Sequence, residues 1–251
     1  MGQRPVCIYV CGAPPAPVAS EHGVFADWFR RLLASHPVDA VAVDGTAGGP
    51  PPDPSQFAAL VLTGSPASVT EPEPWMEGAA ELVRASMRIG APVLGVCFGH
   101  QIAASALGGT VRVNPLGWEV GTRAVELTDE GRADPLFDGI GQSLRVNFSH
   151  RDVVDPDTLP LPGCRVLARN DKSGAQAFAA GEAVRCVQFH PEFTGAATRA
   201  YLRTRYDAIA ADAAARGSAA EHPAALLQIT DDTPDGERVF HNFVRNWVLK
   251  A

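Results

Sequence analysis

Pro92-Val93-Leu94-Gly95-Val96-Cys97-Phe98-Gly99-His100-Gln101 is the stretch whose reading decides the fold. Pro92 to Gly95 is short and apolar, β-branched at Val93 and preceded by Gly90, as a buried strand is. After Gly99, the run from Gln101 to Leu107 favours helix and stops at Gly108-Gly109. Cys97 therefore stands where a strand turns sharply into a helix. Gly95 and Gly99 flank it in the order G-x-C-x-G, the nucleophile-elbow spacing with sulfur in place of a hydroxyl. Small residues on both sides let the backbone turn tightly and lift one side chain over the sheet edge. The new helix aims its free N–H groups and the positive end of its dipole at the thiol, which favours the reactive thiolate. On Cys97 alone, a buried structural cysteine is an equal reading.

The partners come late in the chain. Val184-Arg185-Cys186-Val187-Gln188-Phe189 reads as another apolar strand and ends in His190-Pro191-Glu192. A histidine at a strand end can serve as base to a cysteine, and a carboxylate two residues on can orient its second ring nitrogen. Alone, His-Pro-Glu carries little. Together with the elbow it resembles the glutaminase domain of the triad (class I) glutamine amidotransferases. In that family G-[apolar]-C-[aromatic or Leu]-G-H-Q holds the nucleophile and F-H-P-E the base and acid. Both motifs are complete here, as Gly95 to Gln101 and Phe189 to Glu192. The resemblance implies Cys97 as nucleophile, His190 as base and Glu192 as the residue that fixes the imidazole tautomer.

The chain has 251 residues, ample for a core in one large domain or a domain with an extension. It is 46% hydrophobic and 20% charged, as ordinary globular proteins are. A net charge of −7 with no Lys/Arg cluster excludes a general nucleic-acid binder. The five cysteines, at 7, 11, 97, 164 and 186, have neither metal-type nor disulfide-framework spacing, which points to a reducing cytoplasm. The run after Pro5 is too short for a signal peptide, position 6 is valine rather than the Ser or Thr of a myristoylation signal, and no 18-residue apolar span occurs. No membrane association is expected. The seven histidines lack HxxxH or HxxEH spacing, so neither a metal nor a cofactor is expected.

Strand and helix patterns alternate through the first half. Val6 to Val10 predicts a strand, Gly12 to Pro17 a loop, and Val24 to Ala34 a helix with Phe25, Trp28, Phe29, Leu32 and Leu33 on one face. Val38 to Val43 is a second strand, and the Gly/Pro tract from Gly45 to Pro54 is a surface loop. Phe57 to Leu62 is a third strand, running into Thr63-Gly64-Ser65-Pro66. This segment resembles the family loop that supplies the second oxyanion-hole N–H; the family often has two glycines where this chain has Gly64 and then Ser65. The resemblance assigns the oxyanion hole to the N–H groups of Gly64 and Phe98; a plain Gly-Ser-Pro turn is the other reading of the loop. Pro74 to Ile89 is a helix, and the alternation predicts a parallel sheet with right-handed crossovers. Ligands bind outside the carboxyl ends of such strands, where Gly64 and Cys97 fall.

From Thr110 the pattern changes. Val111 to Val113, Glu119 to Leu127, Leu144 to Phe148, Arg165 to Ala168 and Gln176 to Ala179 are short strands without long helices between them, an antiparallel flank interrupted by a turn-rich excursion from Gly131 to Gly141. Ser149-His150-Arg151-Asp152 resembles the S-H-x-D segment of the GMP-synthetase-like amidotransferases. The resemblance gives Ser149 and His150, with Gln101 on the elbow helix, a part in holding glutamine. A hydrogen-bonded turn residue is the rival reading for His150, and a structural role is expected for His100. Beyond Glu192, Thr198 to Arg216 predicts one Ala-rich helix, with further helices at Pro223 to Ile229 and Glu237 to Leu249.

The expected fold is therefore α/β: a flavodoxin-like, mostly parallel sheet flanked by helices, with an antiparallel flank. Residues 1–195 would form the amidotransferase domain and 196–251 a helical extension packed on it. The sequence reads as a free-standing domain without a G-x-x-x-x-G-K-[ST] loop. Three functions remain open. The first is a glutaminase, hydrolysing glutamine and passing ammonia to a separate synthase. The second is a stand-alone γ-glutamyl hydrolase or peptidase using the same chemistry. The third, a non-catalytic regulator of the same fold, sits poorly with a complete triad.

Overall fold

The computed structural model describes residues 4–160 and 163–250. Strands β1 (Val6–Val10), β2 (Ala40–Asp44), β3 (Ala59–Leu62), β4 (Val93–Val96) and β11 (Val184–Val187) lie parallel in the order β2-β1-β3-β4-β11. The sheet continues antiparallel through β10 (Ala177–Ala180), β9 (Cys164–Arg169), β6 (Glu119–Leu127) and β7 (Ser143–His150), nine strands in all. The expected parallel sheet with an antiparallel flank is thus one continuous sheet. A separate ribbon pairs β5 (Val111–Val113) with β8 (Asp152–Val154), a strand too short to stand out in the sequence pattern.

Every residue of β3, β4, β10 and β11 is buried, as expected for central strands covered on both faces. On one face, helix α2 (Phe25–Leu33) presents Phe29, Leu32 and Leu33 to a core that includes Ile8, Val61, Leu94 and Phe189. On the other, α3 (Pro74–Ile89) and α4 (Phe98–Ala106) bury Leu82, Val83, Phe98 and Ile102 against Leu60, Leu62 and Val93. Each fully buried Leu, Ile or Phe is worth roughly 1.5–3 kcal/mol, so these two cores hold the strand ends on which the site is built.

The helix α3 runs over the predicted span. Pro74 sits at its start, where an N–H would be unsatisfied anyway, and Gly90 ends it with φ of 69°. Elsewhere the chain departs from expectation. The loop from Gly12 is cut short by α1 (Ala16–His22), a two-turn helix entered through Pro17. The turn-rich excursion includes the single turn α5 (Asp129–Ala133). The long helix predicted from Thr198 to Arg216 is two, α6 (Gly195–Thr204) and α7 (Tyr206–Ala215). They break at Arg205, whose backbone leaves the helical region (φ −107°, ψ 15°) while its guanidinium bonds Ser149. After α8 (Pro223–Ile229), α9 (Pro234–Phe243) starts earlier than predicted and continues into π-helical turns over Val244–Val248. Val239, Phe240 and Phe243 join the core that holds Ile8 and Phe29. Among the described residues, no helix is long and apolar enough to cross a membrane.

Candidate active site

The elbow is set by close backbone approach. Cys97 has φ of 52° and ψ of −99°, the only non-glycine residue with positive φ among those described. This strained conformation persists because its surroundings over-determine it. The Cys97 N–H donates to the Val187 carbonyl at 2.9 Å, and the Gly99 N–H to the Thr63 carbonyl at 3.2 Å. A Cβ on Gly95 would meet the Gly99 carbonyl oxygen at 2.6 Å, and one on Gly99 would meet the Leu62 carbonyl oxygen at 2.4 Å. Both flanking glycines are therefore required by space. Helix α4 begins immediately afterwards, so its first N–H groups point at the thiol.

β11 lies beside β4, with Val187 opposite Val96, which brings His190 from a distant part of the chain to the end of the elbow strand. His190 Nδ1 lies 2.8 Å from Glu192 Oε1, and both side chains are almost wholly buried. Nδ1 thus donates to the carboxylate and Nε2 is left for another partner. Phe193 stacks on the imidazole at 3.8 Å and 13°, fixing the ring plane. Burial disfavours the imidazolium, but the Glu192 carboxylate first and Cys97 second outweigh it, and the His190 pKa is raised to about 10. Cys97 acts on the ring both through its charge and as a hydrogen-bond partner.

Gly64 is packed against the same imidazole: a Cβ there would meet His190 Cε1 at 2.9 Å. Thr63 pins the loop, accepting from the Cys11 N–H at 3.0 Å and donating to the Gly64 carbonyl at 2.9 Å. The N–H groups of Gly64 and Phe98 have no acceptor among the described residues. Ser65, which stands in place of a second family glycine, accepts from the Ala67 N–H through its hydroxyl and turns the loop.

A cavity of about 220 Å³ opens over Cys97, lined also by Ser65, Gln101, Ser149, His150 and Arg205. The three residues expected to hold glutamine thus lie together around the thiol. The Gln101 side chain is anchored, donating to the Asp152 carbonyl at 3.0 Å and to Gln188 Oε1 at 3.1 Å. Both ring nitrogens of His150 are occupied, Nε2 by Glu119 Oε2 and Nδ1 by the Asp152 carbonyl, each at 2.9 Å. Glu119 faces His150 across the β6–β7 ladder. Burial raises the Glu119 pKa, but hydrogen bonds from His150, Asn170 and Gln176 outweigh that and hold it as a carboxylate below the usual range. The His150 side chain is thus a strut, and its backbone is what remains to meet a ligand. His100 lies fully buried against Phe178, in keeping with the structural role expected of it. Burial, with His150 nearby, drops its pKa to about 3.

Sequence reasoning passes over several cavity residues, among them Trp118, Arg151 and Arg205, the last because it lies inside an apparently continuous amphipathic helix. Its only legible signal is a cation between Tyr201 and Ile209 on the inward face.

Known proteins resemble this chain in sequence and in fold. The family model described as glutamine amidotransferase class-I matches residues 36–208. The GMP synthase (glutamine-hydrolyzing) of Parafrankia sp. is 40% identical over 136 residues, 54% of this chain and 23% of that protein. In Saccharolobus solfataricus, one of the separate subunits of a GMP synthase (glutamine-hydrolyzing) is 38% identical over 141 residues, 55% of this chain and 68% of that one. The chain spans about a quarter of the length of the full-length GMP synthases it matches. In fold, it matches the crystal structure of a glutamine amido transferase from Methylobacillus flagellatus with a TM-score of 0.76, over 97% of this chain and 95% of that one at 20% identity. With more than half of its length covered by the family model, this chain belongs to the class-I glutamine amidotransferases.

Proposed function

We propose that the chain hydrolyses the side-chain amide of glutamine through Cys97, His190 and Glu192, by way of a γ-glutamyl thioester. The observation that carries this reading is the elbow. A cysteine held at positive φ on a helix start lines a cavity and lies beside an imidazole whose far nitrogen is bound by a buried carboxylate.

His190 holds the proton given up by Cys97 while the sulfur attacks the amide carbon. The carbonyl oxygen becomes an oxyanion, stabilised by the N–H groups of Phe98 and Gly64, which have no other acceptor among the described residues. When the C–N bond breaks, His190 returns the proton to the leaving nitrogen and ammonia departs. Water, deprotonated by the same imidazole, then opens the thioester and releases glutamate and the free thiol. Glu192 keeps the ring in the required tautomer and balances its positive charge. Gln101, Ser149 and the backbone at His150 hold the amino-acid end of the substrate.

The ammonia goes to a separate acceptor enzyme, in keeping with the Saccharolobus relative being one subunit of a synthase. Residues 196–251 belong to the same domain as 1–195, a reading supported by the apolar face of α9 in the core beneath β1. All five cysteines are free thiols, which suits a reducing cytoplasm.

The test is a variant series assayed for glutamate release. Cys97→Ala and His190→Ala are expected to lower kcat by about a million-fold, and Glu192→Ala by only about 10⁴-fold. A folded Glu192→Ala as inactive as Cys97→Ala would refute the subordinate role given to the carboxylate.

A further inference from the structure

Arg205 is a cation without a counterion among the described residues. It sits at the break between α6 and α7 and lines the cavity over Cys97. Its Nη1 donates to the Ser149 hydroxyl at 2.9 Å and the Ser149 carbonyl at 3.3 Å. The guanidinium lies over the rings of Trp118, at 5.0 Å, and Tyr201, at 5.3 Å. Among the described residues no carboxylate comes within the 4.0 Å of an ion pair, and Nε and Nη2 have no protein acceptor. By contrast the buried Arg185 is held by Asp134 through Nε at 2.9 Å. A guanidinium taken partly out of water and clamped between aromatic rings is costly to leave unpaired.

The same cavity carries a second arginine, the exposed Arg151, and two anions, Glu71 and Asp152. Arg205, held in place and without a carboxylate partner, together with nearby carboxylates, matches the two charges of a free α-amino acid. Resting on the glutamine reading above, we propose that Arg205 is the specificity-determining residue that pairs with the α-carboxylate of the γ-glutamyl substrate, using the guanidinium edge that Ser149 leaves free. Ser149 fixes the guanidinium plane and the two rings fix its depth, so its entropy of ordering is spent before substrate arrives. A leaving-group carboxylate is a poorer fit, because it would not call for the anions in the same cavity. The kink between α6 and α7 then has a purpose, since a straight helix would carry position 205 on in regular register. Arg205 also ties substrate selection to a residue beyond the catalytic motifs.

The experiment measures binding by calorimetry to the full chain carrying Cys97→Ala, which removes turnover. The probes are L-glutamine and its α-amide, which keeps the ammonium and the side chain but lacks the carboxylate. Glutamine is expected to bind about 10- to 100-fold more tightly than the α-amide, the range of a charge-assisted pair. Adding Arg205→Gln should erase that preference by weakening glutamine alone, while Arg205→Lys keeps part of it. Equal affinity of both probes for Cys97→Ala refutes the proposal whether or not the arginine variants fold. A preference that survives Arg205→Gln, or equal weakening of both probes, makes Arg205 a structural brace and also refutes it, with the glutamine reading intact. Binding of neither probe would overturn the glutamine reading itself, and the proposal with it.

Discussion

Gly99→Ala tests whether the elbow depends on close backbone approach. The new Cβ would lie 2.4 Å from the Leu62 carbonyl oxygen, 2.8 Å from Leu62 Cβ and 2.9 Å from Leu62 C. Ordinary contact begins near 3.4 Å, so the start of α4 and the end of β3 must separate by about 1 Å. No rotamer relieves the clash, because two of the three atoms are backbone of a fully buried strand. Overpacking of this kind costs about 1–3 kcal/mol. The kinetic cost is larger in proportion, because α4 carries Cys97 and Phe98 while β3 leads into Gly64. A misplacement of about 1 Å between reacting groups costs on the order of 100-fold. The assay pairs a urea unfolding curve with glutamate release, and Gly141→Ala serves as control, since nothing lies within 4 Å of a Cβ there. The expected result is a folded Gly99→Ala protein, less stable by about 1–3 kcal/mol and slower by about two orders of magnitude, beside an unchanged control. A Gly99→Ala protein with the parent midpoint and the parent rate would refute the argument.

Two further outcomes follow from the titration of buried groups. Limited iodoacetamide treatment near neutral pH should label Cys97 first: burial pushes the Cys7 and Cys11 thiols up to about 12 and raises those of Cys164 and Cys186, whereas Cys97 lines the cavity. Peptide mapping that found Cys7 or Cys164 labelled ahead of Cys97 would contradict this. His190, raised to about 10 from 6.5, holds its proton longer in the folded chain than in the unfolded one. Its contribution to stability is complete below pH 6.5 and is lost as pH climbs towards 10. The urea midpoint should therefore fall between about pH 7 and about pH 8.5, before the ordinary thiol range is reached. Glu192→Gln should flatten that slope, and a parent midpoint that rises over this interval would reverse the sign of the argument.

Much of the site is legible in the sequence because its signals are local. G-x-C-x-G states that two backbones pass too close for side chains, and the structure shows both approaches. Helix α3 is legible to its end residues because a proline opens it and a left-handed glycine closes it. What the sequence hides depends on partners far along the chain. Glu119 and His150 are 31 positions apart and meet only through the β6–β7 register. Arg205 and Ser149 are 56 apart, and their bond accompanies a break in a run of residues whose local preference is helix throughout. Helix α1 escapes a sequence reading because seven residues following Gly and Pro show too little periodicity to stand out from a loop.

The central claim is that Cys97 opens a γ-glutamyl amide, and glutamate release from L-glutamine by the purified full chain, with Cys97→Ala as blank, tests it most directly. The account predicts measurable release without any partner, since the imidazole, its carboxylate and the free N–H groups are already assembled. Release equal to the blank, both alone and after addition of a synthase that accepts ammonia, would contradict it.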